Sequence, residues 1–195
     1  MTGGRAITGV VALAAVALTG CTSSALGVST HSAASTGSSG PAHTISTPTR
    51  LDSYTRSPAL ENALNVNDLR QQVMKGGSGR ASDVMSAVYA QGNATPGAGG
   101  NQQVFMFVGG HLADSNPTLS IASFEQEYPH AQVVSAGSLG GKAACTATAA
   151  NNESVAMCVW FDNDSFGTLV SPTMSIAKLA NVLDTVRPGI ERVEQ

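Results

Sequence analysis

Residues 145–162 read CTATAANNESVAMCVWFD, and the reading of this stretch decides the fold. Two β-favouring runs flank Asn151-Asn152. Asparagine tolerates positive φ better than most residues, which suits it to the centre of a two-residue hairpin turn. With Asn151 and Asn152 as the loop, directly opposed residues have numbers that sum to 303, and Cys145 with Cys158 meets that condition. Counting outward from a hydrogen-bonded 150–153 pair makes 145–158 a non-hydrogen-bonded pair. There the Cα atoms approach to about 4.5 Å, a spacing that a disulfide can bridge. The rival reading is a buried free pair or a redox couple, but the Cys-x-x-Cys spacing usual in redox couples is absent.

Working outward, the flanking sequence supplies further strands and three helical stretches. The run from Val104 to Val108 (VFMFV) is continuously apolar, as expected of a strand covered on both faces. A second strand is expected over Ser82–Gln91, and others over Ala131–Leu139, Lys142–Ala149, Ser154–Phe161 and Ser165–Val170. Ser57-Pro58 reads as the N-cap and first turn of a helix carrying Leu64, Leu69 and Val73, stopped at Gly76-Gly77. Asn116-Pro117 opens another, with Ile121, Phe124 and Tyr128 on one side and Pro129 after it. Ser171-Pro172 starts the clearest helix, with Ile176, Leu179, Leu183 and Val186 at helical spacing and Pro188-Gly189 at its end. Strand runs interrupted by helices with short links predict an α+β domain. Its sheet is mostly antiparallel, with two or three helices packed on one face and one hairpin disulfide.

Within the strand Ser154–Phe161, Cys158 and Trp160 share one face, while Val155, Met157, Val159 and Phe161 share the other. The second set is the better core face. Trp160 is then either a recognition patch beside the disulfide or a side chain packed under a helix or loop.

The N-terminus reads as an export signal. Arg5 supplies a positive charge ahead of an apolar run from Ala6 to Leu18. That run is about 13 residues, against roughly 20 for a helix that spans a bilayer, and it fits a signal-peptide core. Leu18-Thr19-Gly20-Cys21 then resembles the lipobox, the cleavage motif of bacterial lipoproteins. The resemblance implies cleavage before Cys21 and acylation of its thiol. Two chains would anchor the protein stably at the membrane, since each buried methylene contributes roughly 0.8 kcal/mol. The alternative is a plain secretory signal with a coincidental cysteine. Three cysteines is an odd count for an exported chain. Lipidation of Cys21 leaves Cys145 and Cys158 as a pair.

From Thr22 to about Thr49 the sequence is almost wholly Ser, Thr, Ala, Gly and Pro with isolated histidines. Such a segment has too little bulky apolar side chain to offset the entropy of ordering, and is expected to be a disordered tether. About 28 residues give a mean reach on the order of 30 Å. The expected organisation is a signal peptide over 1–20, lipidated Cys21 and tether over 21–50, and a single α+β domain over 51–195.

The net charge is −3, with three lysines (Lys75, Lys142, Lys178) and singly scattered arginines. No basic field offers itself to nucleic acid, and no polybasic stretch to anionic lipid.

The last third of the chain, from Cys145 through Met157-Cys158-Val159-Trp160-Phe161-Asp162 to the terminal helix, resembles exported actinobacterial proteins of no assigned function. In these a Cys…Cys-x-Trp-x-Asp hairpin precedes a closing helix. The likeness implies location and fold, and brings no activity with it.

Catalytic templates fare poorly. Ala136-Gly137-Ser138-Leu139-Gly140 misses the nucleophile elbow by one glycine, and no histidine follows Ser138. Gly140-Gly141-Lys142 lacks the first glycine of a phosphate loop and has Ala143 where a hydroxyl belongs. Asp162-Asn163-Asp164-Ser165-Phe166-Gly167 begins like a calcium loop, but Phe166 stands at a ligand position and Thr173 at the bidentate one. It reads as a solvated turn. His31 and His43 fall in the tether, and His111 with Asp114 has no third ligand or nucleophile near it in sequence. No catalytic residue, metal ligand or cofactor is expected. The expected partners are the membrane, through Cys21, and an envelope protein or small molecule of unknown identity. The sequence therefore favours a non-enzymatic binding or interaction module held at the outer face of the cell membrane. The alternatives are an envelope enzyme, such as a hydrolase, with a site built from distant residues, and a structural envelope-assembly lipoprotein.

Overall fold

The computed structural model describes residues 42–77, 79–92, 102–150 and 153–194. The signal segment, Cys21, the tether up to residue 41 and the Asn151-Asn152 turn lie outside the described residues.

The chain forms β1 (His43–Ile45), β2 (Arg50–Leu51), β3 (Tyr54–Arg56), α1 (Pro58–Ala63), α2 (Val66–Gly76), β4 (Ala81–Gln91) and β5 (Val104–Leu112). It continues with α3 (Pro117–Glu127), β6 (Gln132–Val134), β7 (Lys142–Ala150), β8 (Glu153–Phe161), β9 (Ser165–Ser171), α4 (Ile176–Ile190) and β10 (Glu191–Val193). Eight strands make one antiparallel sheet in the order β2-β3-β4-β5-β9-β8-β7-β6, and β1 pairs with β10 as a separate ribbon. The expected α+β class with a mostly antiparallel sheet and a hairpin disulfide is the observed one.

The central hairpin has the register read from its sequence. Every β7–β8 pair, from Lys142↔Phe161 to Ala150↔Glu153, sums to 303, and Cys145 faces Cys158. Their Cα atoms are 4.0 Å apart, and the two sulfurs are bonded. That separation belongs to the close, non-hydrogen-bonded class of antiparallel pair.

Helices cover both faces. One face carries α1, α2 and α3: Leu60 and Val66 pack with Val88 and Ala90, and Ile121 and Phe124 pack with Val155, Met157, Val159 and Phe161. The opposite face carries α4, whose Leu179, Leu183, Val186 and Ile190 meet Phe105, Phe107, Cys158, Trp160 and Leu169. Both sides of β8 are therefore interior, and the Cys158–Trp160 side belongs to the larger core. Tyr89 stacks on Phe105 within this layer. Its hydroxyl donates to the Pro48 carbonyl, and burial pushes the phenol up to about 12, so it stays a donor.

Several boundaries differ from the sequence expectation, each for a local reason. The first helix is two, because Asn65 adopts φ 50° between α1 and α2. The strand expected over Ala131–Leu139 shrinks to β6; beyond it Gly137 and Gly140 take positive φ, and the carbonyls of Ala136 and Gly140 turn to Arg187. The last helix starts at the Ser175 cap, whose hydroxyl accepts from Lys178 N–H. Ser171 instead ends β9 and donates to the Val104 carbonyl. Pro188 does not stop α4. It sits on the exposed side of the final turn, as does Asp184 four residues back, so the ring enters no packed layer. The folded region also begins at β1, ahead of the expected start at residue 51, because His43–Ile45 pairs with β10.

Replacing Cys145 and Cys158 together by serine is expected to lower unfolding stability by about 3 kcal/mol, the chain-entropy value for a loop of this length. Urea unfolding followed by Trp160 fluorescence measures it, and an unchanged midpoint would contradict the assignment.

Candidate functional site

The densest chemistry in the fold lies where β1, the β8–β9 turn, the end of α4 and β10 meet. Arg187 occupies the next place in the stripe that begins with Leu179 and Leu183, so the helix aims it into the core. Its side chain is 1% exposed. Four residues on, the backbone of Glu191 has become extended (φ −115°, ψ 131°) while its N–H still bonds the Arg187 carbonyl. The switch from helix to strand points the Glu191 carboxylate back under α4, fully buried.

That carboxylate is surrounded by donors. Arg187 Nε donates to Glu191 Oε2 at 2.6 Å, Trp160 Nε1 donates to the same oxygen at 3.0 Å, and Ser165 Oγ donates to Oε1. The guanidinium continues outward. Nη1 donates to the Ala136 and Gly140 carbonyls at 2.5 and 2.7 Å, and Nη2 to Asp162 Oδ2 at 3.0 Å. Its centre also lies 5.7 Å from the centroid of the Trp160 ring. Burying an ion costs several kcal/mol unless good geometry and further hydrogen bonds offset the loss of water. Here both oxygens of Glu191 and all three guanidinium nitrogens have partners.

His43 closes the cluster from β1. Its backbone N–H and its Nδ1 meet the two oxygens of Asp164 at 2.8 and 2.6 Å. Nε2 lies 3.9 Å from Asp162 Oδ2, and Nδ1 lies 4.0 Å from Glu191 Oε1. The N-terminal strand is thus fastened to the sheet by a side chain as well as by its ladder with β10.

Glycines make room for this arrangement. A Cβ on Gly167 would lie 2.1 Å from the Trp160 ring, and one on Gly141 would lie 2.4 Å from the Phe161 carbonyl. Trp160 therefore lies flat over Gly167 and stacks on Phe107 at 5.9 Å between centroids.

These observations settle one open reading and correct two sequence expectations. Trp160 is 0% exposed and is no recognition patch; of the two readings, burial under a helix holds. The Asp162–Ser165 stretch is a hairpin turn, but it is not solvated throughout, since Asp162 and Ser165 face the interior at 6% and 0% exposure. His43 is a buried member of the cluster and is not in the tether. Cys145 and Cys158 meet as expected, and Cys21 lies outside the described residues. His111 sits half-buried in β5, and Asp114 is exposed in the loop after it. Among the described residues no hydrogen bond or ion pair joins these two.

The sequence reading missed Arg187, Glu191, Asp162 and Ser165 as a group. A signal was present: an Arg in an apolar stripe with Glu four residues later is the spacing of a helical ion pair. Nothing local tied that pair to His43, which is remote in sequence.

One atom each of His43, Asp162 and Glu191 fall within 4.8 Å of one another, a separation that a metal ion could bridge. The donor set argues otherwise. Asp162 Oδ2 and Glu191 Oε2 already accept from Arg187, so the guanidinium stands as the cation of this cluster, and a divalent ion here would meet its positive charge. Ser165, bonded to Glu191 and closed to solvent, is equally out of reach as a nucleophile. The arrangement ties α4, the sheet and the N-terminal strand together. The chain matches no family model, no curated protein and no solved structure.

Arg187→Leu would leave Glu191 and Asp162 buried without their cation, and is expected to cost about 3–5 kcal/mol. Asp184→Ala, on the exposed side of the same helix, is expected to stay within about 0.5 kcal/mol of wild type. Thermal and urea unfolding of both variants provide the comparison; equal stabilities would contradict the structural role of the cluster.

Proposed function

We propose that the chain is a lipoprotein, held at the extracytoplasmic face of the cell membrane by acyl chains on Cys21, and that its domain is a non-enzymatic binding or interaction module. The observation that carries this reading is the lipobox-like Leu18-Thr19-Gly20-Cys21 at the end of a signal-type apolar run. The disulfide supports it, since such bonds persist in oxidising compartments. No helix among the described residues is long and apolar enough to cross a membrane.

The interior of the domain supports the absence of catalysis in this reading. The titratable and hydroxyl groups of the Arg187–Glu191 cluster are bonded to one another beneath α4. A catalytic group needs a substrate within hydrogen-bond reach, and Arg187, Glu191 and Ser165 are closed to one. Recognition then falls to the outer surface, on a scaffold stiffened by the disulfide and the ion network.

Cys21→Ala is expected to abolish incorporation of labelled palmitate and to move the protein from the membrane fraction to the soluble one. Intact-mass analysis of the wild-type protein is expected to show an acylated Cys21 as the first residue. An intact Met1 on protein from the cytosol would overturn the reading.

A further inference from the structure

Among the described residues the β7 edge of the sheet is left without a strand beyond the end of β6, and its geometry points to an occupant. β6 pairs with β7 only over Gln132↔Cys145, Val133↔Ala144 and Val134↔Ala143. Continuing that register would set His130 opposite Ala147 and Tyr128 opposite Ala149. Instead the chain turns at Tyr128-Pro129-His130, with Ala131 N–H bonded back to the Tyr128 carbonyl. From Thr146 onward β7 has no strand paired on that side among the described residues.

The direction of the backbone groups follows from the disulfide. Cys145–Cys158 is a close pair at 4.0 Å, so alternation sends the N–H and C=O of Ala147 and Ala149 away from β8. Ala147 and Ala149 are exposed, and Thr148 is half-buried. A 3.4 Å bond from Thr146 Oγ1 is the contact made by the Ala147 carbonyl on that side. Among the described residues the other outward groups of Ala147 and Ala149 have no hydrogen-bond partner.

Natural sheets blunt such edges with short strands, bulges, prolines or charges. This sheet does so elsewhere. β2 has two residues, and β4 carries a register shift between Ser82 and Met85 with Asp83 at φ 49°. β7 shows none of these devices: its ladder with β8 is unbroken, and residues 143–150 (AACTATAA) contain neither charge nor proline.

We propose that the Ala147–Ala149 edge of β7 pairs antiparallel with the same edge of a second copy of this chain, joining two sheets across a two-fold axis at Thr148. An isologous contact requires a strand that complements itself. Here Ala147 of one copy exchanges both backbone bonds with Ala149 of the other, and the reverse pair follows by symmetry. Small, uncharged side chains on both sides of Thr148 introduce neither like-charge repulsion nor bulk. The proposal rests on the interaction reading above and names its partner. A contact of this length falls below the roughly 1,000 Å² of a stable solution interface. Confinement of both copies to one membrane by their lipids raises the effective concentration, so the pair forms on the membrane.

The test uses the full chain in membrane vesicles. In the two-fold pair Thr148 faces its own copy as a close, non-hydrogen-bonded pair, the relation that Cys145 has to Cys158. Thr148→Cys is therefore expected to give a covalent dimer on mild oxidation, as the major species on a non-reducing gel. Ala149→Cys, whose symmetry mate is displaced by two residues, is expected to stay monomeric. Adding Ala149→Pro to Thr148→Cys removes an outward N–H without touching the ladder to β8, and is expected to reduce the dimer at least tenfold. Chemical cross-linking of the wild-type chain, with and without Ala149→Pro, asks the same question should the cysteine variants fail to fold. Absence of dimer, equal cross-linking at positions 148 and 149, or indifference to Ala149→Pro would each overturn the pairing. Intact mass reads acylation of Cys21 in the same sample, so failure of the anchor and failure of the pairing are separate results. An unacylated chain is held on the same vesicles through a terminal His tag and a nickel-chelating lipid, where a monomer alone also overturns the pairing.

Discussion

A carboxylate with no exposure has to be satisfied from within, and the fold is arranged around satisfying Glu191. Its partners come from three places: Arg187 from α4, Trp160 from the middle of the sheet, and Ser165 from the start of β9. Because each partner is fixed by its own packing, the position of Glu191 sets how α4 lies on the sheet. Arg187 then passes the constraint to the turns at Ala136, Gly140 and Asp162. Unpaired polar groups in such a place cost far more than they return when paired. The cluster therefore selects one arrangement of helix and sheet more sharply than apolar contact alone would.

This polar centre and the disulfide act on the same layer. Cys158 and Trp160 are on one face of β8, two residues apart, with Gly167 opposite Trp160 on β9. The absence of a side chain at Gly167 lets the indole lie flat and reach Glu191. The bond at Cys145–Cys158 holds β7 to β8 just beyond it. On the other face, Val155, Met157, Val159 and Phe161 are sealed by α3. With both faces covered by helices, the unpaired backbone groups of the sheet lie at its edges.

The hairpin was legible in the sequence because register in a two-residue turn is arithmetic, and the spacing of Cys145 and Cys158 obeys it. The helices opening at Ser57-Pro58 and Asn116-Pro117 were legible from their caps, since Ser57 and Asn116 do accept the capping bonds. The burial of Trp160 was not settled, because the run of Val155, Met157, Val159 and Phe161 made the opposite face look the better core; the position of α4 puts the Cys158–Trp160 face in the larger one. His43 was hidden for a different reason. A three-residue strand in a Ser- and Thr-rich stretch has no periodicity of its own, and its partner β10 lies at the far end of the chain. Asp162 read as solvent-facing because turn residues are usually polar and wet, and the cation that draws it inward is contributed by a remote helix.

The coupling between Arg187 and Glu191 tests the central claim most directly. A double-mutant cycle with Arg187→Leu and Glu191→Gln, read by urea unfolding of the four proteins, isolates it from the cost of each change alone. The account predicts strong non-additivity, with the double variant more stable than the sum of the single losses implies by about 1–3 kcal/mol. Losses that simply add would contradict it, and would mean that Glu191 does not depend on Arg187 for its place in the core.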